Sequence, residues 1–183
     1  MAAGRLVILS GPSAVGKDSV IDRWKELDPS VERIVARTTR DPRPGEVDGR
    51  DYVFLTVEQF RKLIDEDFFL EYKPVFDNFY GTPRTLMDRA LEEGRIAVLK
   101  IDVQGALDVM KLRPDAITVF LMPPSEEALR DRINLRDLDS PEVKKKRLAK
   151  AVEEMSHAGE YQHQIVNDVV DLAVQKLREL TSE

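Results

Sequence analysis

No cysteine occurs among the 183 residues. Disulfides, thiolate metal sites and cysteine nucleophiles are thereby excluded, and the composition suits a reducing compartment. Histidine is nearly as scarce, with only His157 and His163. Both are read as surface or packing residues within helices, without a catalytic role. No apolar run is long enough to span a bilayer and no N-terminal signal pattern precedes the first strand, so the expectation is a cytoplasmic protein with no membrane partner. A basic excess is missing too. The net charge is −6, which argues against a nucleic-acid binder. An anionic ligand would have to meet basic residues that are concentrated locally.

The rest of the composition is that of an ordinary globular protein, 42% hydrophobic and 34% charged. The length suits one domain with small appended lobes. Leu6-Val7-Ile8-Leu9 is an apolar run bounded by turn residues, as in a strand buried on both faces. Lys17 to Glu26 carries Val20, Ile21 and Trp24 at helical spacing. Thr56-Val57-Glu58-Gln59 has the pattern of a capping box and predicts a helix to about Asp65. Thr82 and Pro83 read as the N-cap and first residue of another helix, stopped at Gly94. A strand over Ile96–Ile101, a helix from about Val103 and a strand over Ile117–Met122 follow. Ser125 and Ser140 each open a helix, Gln164–Val166 forms a short strand, and Asp168 caps a last helix. This alternation predicts a three-layer α/β fold, a parallel sheet wrapped by helices. Two segments depart from it. Residues 34–80 are β- and loop-rich with clustered arginines and aromatics, and residues 132–147 are dense in charge.

Between the first strand and the first helix stands GPSAVGKDSV, Gly11 to Val20. Gly11, Gly16 and Lys17 have the spacing of a phosphate-binding loop, G-x-x-x-x-G-K followed by Ser or Thr. Glycines let successive N–H groups turn inward around an anion, and the helix N-terminus adds positive potential. Lys17 would reach the β- and γ-phosphates of a nucleoside triphosphate. The next residue, however, is Asp18, a carboxylate where a metal-binding hydroxyl is expected. Further on, Arg37, Arg40 and Arg43 crowd one short loop, a second candidate anion site.

Together with the glycine loop, the segments RTTRDPRPGEVDGRDYVF, FLEYKPVFDNFYGTPR and LKIDVQGA resemble guanylate kinase, in order and over essentially the whole chain. The resemblance implies a phosphate-loop NTPase fold with core 1–33, 81–131 and 148–183, a GMP-binding lobe 34–80 and a helical lid 132–147. It also implies the reaction ATP + GMP → ADP + GDP with Mg2+, with dGMP as a second acceptor, in a monomer or homodimer. On this resemblance Gly11, Ser13, Ala14, Val15, Gly16, Lys17, Asp18, Ser19 and Asn167 would bind ATP. Arg40, Arg43, Tyr52 and Tyr80 would hold the GMP phosphate, with Glu46 and Ala36 in the same GMP-binding set. Glu71 would accept from guanine N1–H and N2–H₂, Thr82 would donate to the guanine oxygen, and Asp102 would lie near the base. Lys17 and the lid arginines Arg132, Arg136 and Arg147 would be catalytic. The competing reading is an inactive guanylate-kinase-like interaction module; such modules tend to lose the phosphate-loop residues retained here.

The chain departs from the family pattern in the lid turn Asn134-Leu135-Arg136-Asp137-Leu138, which lacks the usual glycine, and at three further positions. Ala36 stands where a serine usually contacts the base side, which predicts weaker GMP binding. Asp18 replaces the loop hydroxyl, and Lys100 replaces an acidic residue on the neighbouring strand. The two exchanges predict an Asp18–Lys100 ion pair. Asp18 through a water, or Ser19 through its hydroxyl, would be the alternative magnesium contacts.

Overall fold

The computed structural model describes residues 4–75, 77–135 and 140–182. Five parallel strands form the central sheet in the order β2-β7-β1-β8-β9: β1 (Arg5–Ser10), β2 (Val31–Ile34), β7 (Ile96–Lys100), β8 (Ile117–Met122) and β9 (His163–Val166). Side chains alternate across a strand, so β1 feeds two cores. Val7 and Leu9 join Val98, Val119 and Leu121 on one face. There they meet α1 (Lys17–Leu27) through Val20, Ile21 and Trp24, and α7 (Val170–Ser182) through Ala173, Val174 and Leu177. Leu6 and Ile8 join Ala97, Leu99 and Phe120 on the other. That face packs on α3 (Arg84–Glu92) through Met87 and Ala90, and on α4 (Val103–Leu112) through Val103, Ala106 and Val109. Burial on both sides explains why β1, β7 and β8 read as continuous apolar runs.

The second sheet is a separate, mixed one in the order β4-β3-β6-β5. It contains β3 (Arg37–Thr38), β4 (Val53–Phe54), β5 (Phe69–Val75) and β6 (Asn78–Pro83). Its apolar support is aromatic. Phe60 of α2 (Val57–Asp65) is fully buried and stacks on Phe69 and Phe79, with ring centroids 4.6 and 5.5 Å apart. The capping box at Thr56 forms in both directions with Gln59, and the helix ends at Asp65 as the pattern requires. A third, smaller cluster of Leu129, Ile133 and Ala151 joins α5 (Glu126–Asn134) to α6 (Pro141–Met155). Ser125 and Ser140 cap those two helices through their hydroxyls. No helix among the described residues is long and apolar enough to cross a membrane.

Several local expectations are corrected. Thr82 does not cap α3: it is buried in β6, and the N-cap position falls to Pro83, because pairing with β5 carries the strand that far. Asp168 lies one residue too early to cap α7, since the Val169 carbonyl accepts the first helical bond, from Ala173 N–H. His157 lies in the turn after α6, and His163 begins β9, so neither is helical. The strand β2, with the charged sequence VERI, gave no apolar run to find.

Candidate active site

The ends of β1 and β7, the start of α1 and the inner side of the second sheet enclose two adjoining cavities. The larger, about 820 Å³, is walled by the phosphate loop, including Ser13, Ala14, Val15, Gly16, Lys17, Asp18 and Ser19. The loop's shape requires its glycines. Gly11 has φ +143°, and a Cβ there would stand 2.5 Å from the Leu121 carbonyl oxygen. Gly16 has φ +98°, and its Cβ would meet Asn167 Nδ2 at 2.6 Å. Ala14 holds φ +66° without being a glycine, a left-handed conformation that costs an L-residue about 1–2 kcal/mol.

Three side chains from distant elements brace this loop. Asn167, buried behind it, donates from Nδ2 to the Val15 carbonyl at 2.8 Å. Arg132 donates to the Val15 carbonyl and to the Asn167 carbonyl, at 3.2 Å each. Glu154 of α6 accepts the Ser13 N–H at 3.2 Å. Lys17 turns back onto the loop and donates to the carbonyls of Gly11 and Pro12, at 2.5 and 2.9 Å. Burial pushes its ammonium down to about 8, with the Glu154 charge opposing that fall and the Lys100 charge adding to it. Burial also raises the Glu154 carboxyl, against the pull of Lys150 and Lys17.

The smaller cavity, about 300 Å³, runs from Ala36 past Glu71 and Thr82 to Asp102. Thr82 Oγ1 donates to Glu71 Oε1 at 2.7 Å. Burial lifts the Glu71 carboxyl above its ordinary range; the Thr82 hydrogen bond works against this and the nearby Asp102 charge works with it. Asp102 caps α4 by accepting the Gly105 N–H at 2.8 Å. A buried carboxylate flanked by a hydroxyl is a recognition group for paired N–H donors on a planar ring.

Five residues line both cavities: Arg40, Arg43, Tyr52, Tyr80 and Lys100. Arg40 donates to the Tyr80 hydroxyl at 3.1 Å and to Glu46 Oε1 at 2.9 Å, and its guanidinium lies 5.5 Å from the Tyr52 ring centroid. Glu46 also accepts the Arg43 N–H at 2.7 Å, so one carboxylate shapes the whole arginine loop. Burial pushes the Tyr52 phenol up to about 12, which keeps it a neutral donor. Arg147 lines the larger cavity; Arg136 lies outside the described residues.

The Asp18–Lys100 pair forms, with Lys100 Nζ 2.7 Å from Asp18 Oδ1. A second cation was not foreseen. Arg33 of β2, almost wholly buried, places Nη1 2.9 Å from the same oxygen and donates from Nη2 to the Asp51 carbonyl at 3.0 Å. Burial alone would raise Asp18, but Lys100 and Arg33 hold it below the ordinary carboxylate range. Arg33 and Glu154 left no readable mark in the sequence, because each is one charge among many on a charged element. These pairings bear on magnesium. The carboxylate at the loop is shared by two cations, and no group of three or more His, Cys, Asp or Glu suited to a metal exists among the described residues. Ser19 adds one hydroxyl on the cavity wall. This donor set does not fit a metal held by the protein itself, whereas an ion carried by nucleotide phosphates and water needs few protein ligands.

Comparison with known proteins matches residues 3–183 to the family model described as guanylate kinase. The chain is 46% identical to the guanylate kinase of Gloeobacter violaceus, over 98% of this chain and 87% of that one. It is 43% identical to that of Caldanaerobacter subterraneus subsp. tengcongensis, over 96% and 85%. The solved guanylate kinase of Anaplasma phagocytophilum is 32% identical with a TM-score of 0.79, covering 98% of this chain and 85% of that one. A shikimate kinase from Bacteroides thetaiotaomicron, 16% identical with a TM-score of 0.51 over 98% and 99%, shares the fold alone.

Proposed function

Because the chain belongs to the guanylate kinase family, we propose that it transfers the γ-phosphoryl group of ATP to GMP, with dGMP as a second acceptor. The observation that carries this reading is the seam of Arg40, Arg43, Tyr52, Tyr80 and Lys100 between the two cavities. Anion-binding groups stand where a donor in the phosphate loop and an acceptor base at Glu71 would bring their phosphates together.

On this reading ATP lies along the glycine loop, whose N–H groups cradle its phosphates. Lys17 exchanges its two carbonyl partners for phosphate oxygens. Asn167 holds the loop rigid from behind, Arg132 braces the Val15 carbonyl while lining the larger cavity, and Arg147 lines the same cavity. Guanine enters the smaller cavity, where Glu71 accepts from N1–H and N2–H₂, while Thr82 turns its hydroxyl to the base oxygen. The acceptor phosphate meets Arg40 and Arg43, whose guanidinium forks match its oxygens, and the neutral phenols of Tyr52 and Tyr80. Its oxygen is already anionic at neutral pH, so no general base is required and neither histidine takes part. Transfer then depends on alignment and on neutralising the charge of the moving group. Magnesium would arrive on the ATP phosphates and supply charge neutralisation there. Closure of the acceptor lobe and lid excludes water, which would otherwise hydrolyse ATP.

The test is a coupled assay of ADP formation with ATP, GMP and magnesium. Turnover that depends on GMP is expected. Binding of GMP without turnover above background would instead identify an inactive interaction module.

A further inference from the structure

Lys100 has two distinguishing placements. It lines both cavities, so its ammonium stands at the seam between donor and acceptor compartments. It is also largely desolvated: its side chain is 13% exposed, and its Nζ lies 5.3 Å from the centroid of the Tyr52 ring. A cation withdrawn from water attracts an anion more strongly than an exposed one does. Its present partner, Asp18, does not depend on it. Arg33 Nη1 lies 2.9 Å from the same carboxylate oxygen, so Asp18 keeps a counter-charge if Lys100 turns away. The flexible lysine stem permits such a turn, unlike a guanidinium locked in a fork.

A second cation of the seam follows the same arrangement. Arg40 is held by Glu46 at 2.9 Å, as Lys100 is held by Asp18 at 2.7 Å. Each of these two carboxylates has a further partner of its own: Arg33 for Asp18, and the Arg43 N–H for Glu46. An arriving phosphate dianion can engage both cations without stranding either carboxylate.

We propose that Lys100 is an acceptor-phosphate ligand: it leaves Asp18 for the phosphate of the nucleoside monophosphate and supplies a fixed positive charge at the transfer seam, while Arg33 retains Asp18. This rests on the reading of the smaller cavity as the acceptor site. Pairing with Asp18 competes with the phosphate, so the two partners have opposite effects. Lys100 promotes acceptor binding and Asp18 restrains it.

Titration calorimetry with GMP, in the presence of EDTA and without ATP, tests this directly. Lys100→Met is expected to weaken GMP binding tenfold or more, the scale of one lost charge-assisted contact, with Lys100→Arg recovering part of the loss. Asp18→Asn is expected to tighten GMP binding. Guanosine, which lacks the phosphate, should bind equally to all variants, and thermal melts identify any variant that fails to fold. Asp18→Asn leaves the lysine in place, so it remains informative if Lys100→Met is unstable. Unchanged GMP affinity in Lys100→Met, or weakening in both variants alike, would overturn the proposal. A wild-type protein that does not bind GMP would instead overturn the acceptor-site reading beneath it.

Discussion

On the proposed reading, the donor side of the site is built from backbone, and the acceptor side from side chains. Around the phosphate loop, glycines and a left-handed Ala14 fix the path of the chain, and Asn167, Arg132 and Glu154 hydrogen-bond to that path. The second sheet offers side chains from several elements instead. Glu71 comes from β5, Thr82 and Tyr80 from β6, Arg40 from a loop and Asp102 from a helix cap. A backbone cradle grips any polyphosphate, because N–H groups do not discriminate among bases. Selectivity therefore has to reside on the acceptor side, where each contact is a replaceable side chain. Single substitutions should then alter rate on the donor side and substrate choice on the acceptor side.

The largest effect belongs to the donor side. Lys17→Ala should lower kcat by about 10²–10³-fold, the scale of one lost transition-state donor, with little change in GMP affinity; steady-state kinetics and GMP titration together check this. Nearly unchanged kcat would remove the donor loop from the chemistry. Next, Glu71→Gln should reduce kcat/KM for GMP by roughly 10–100-fold, since an amide N–H₂ then faces guanine donors, while the KM for ATP is preserved. Ala36→Ser should tighten GMP by about two- to tenfold, the worth of one added hydrogen bond, measured by titration. The smallest effect is a pH shift. The ammonium form of Lys17 binds phosphate, so kcat/KM for ATP should fall as pH rises through about 8. Glu154 raises the Lys17 pKa, so Glu154→Gln should move that descending limb to lower pH, changing the rate at neutral pH by about twofold.

The same contrast governs what the sequence discloses. A backbone loop needs glycines at fixed offsets, so Gly11, Gly16 and Lys17 show the pattern of a phosphate loop by spacing alone. Strands buried on both faces show equally well, as β1, β7 and β8 do. The acceptor site has no such spacing. Glu71 and Thr82 lie eleven residues apart and meet only because β5 and β6 pair antiparallel, so their roles became visible through resemblance rather than through pattern. The Asp18–Lys100 pair, 82 residues apart in the chain, became legible as a matched exchange. Arg33 stayed hidden, because nothing in VERI distinguishes a buried arginine from an exposed one. At Thr82 local pattern and strand pairing compete. Thr-Pro is a good helix start locally, but strand pairing prevails through Pro83.

On the proposed reading, Glu71 selects the acceptor by pairing with two guanine donors. Rates of ADP formation with ATP, magnesium and a series of acceptors test it most directly, because IMP keeps N1–H but lacks the 2-amino group, and AMP lacks both. The account predicts kcat/KM in the order GMP, IMP, AMP, with a large drop at each step and no gap between GMP and IMP in Glu71→Ala. Equal kcat/KM for GMP and IMP in the unaltered protein would contradict it.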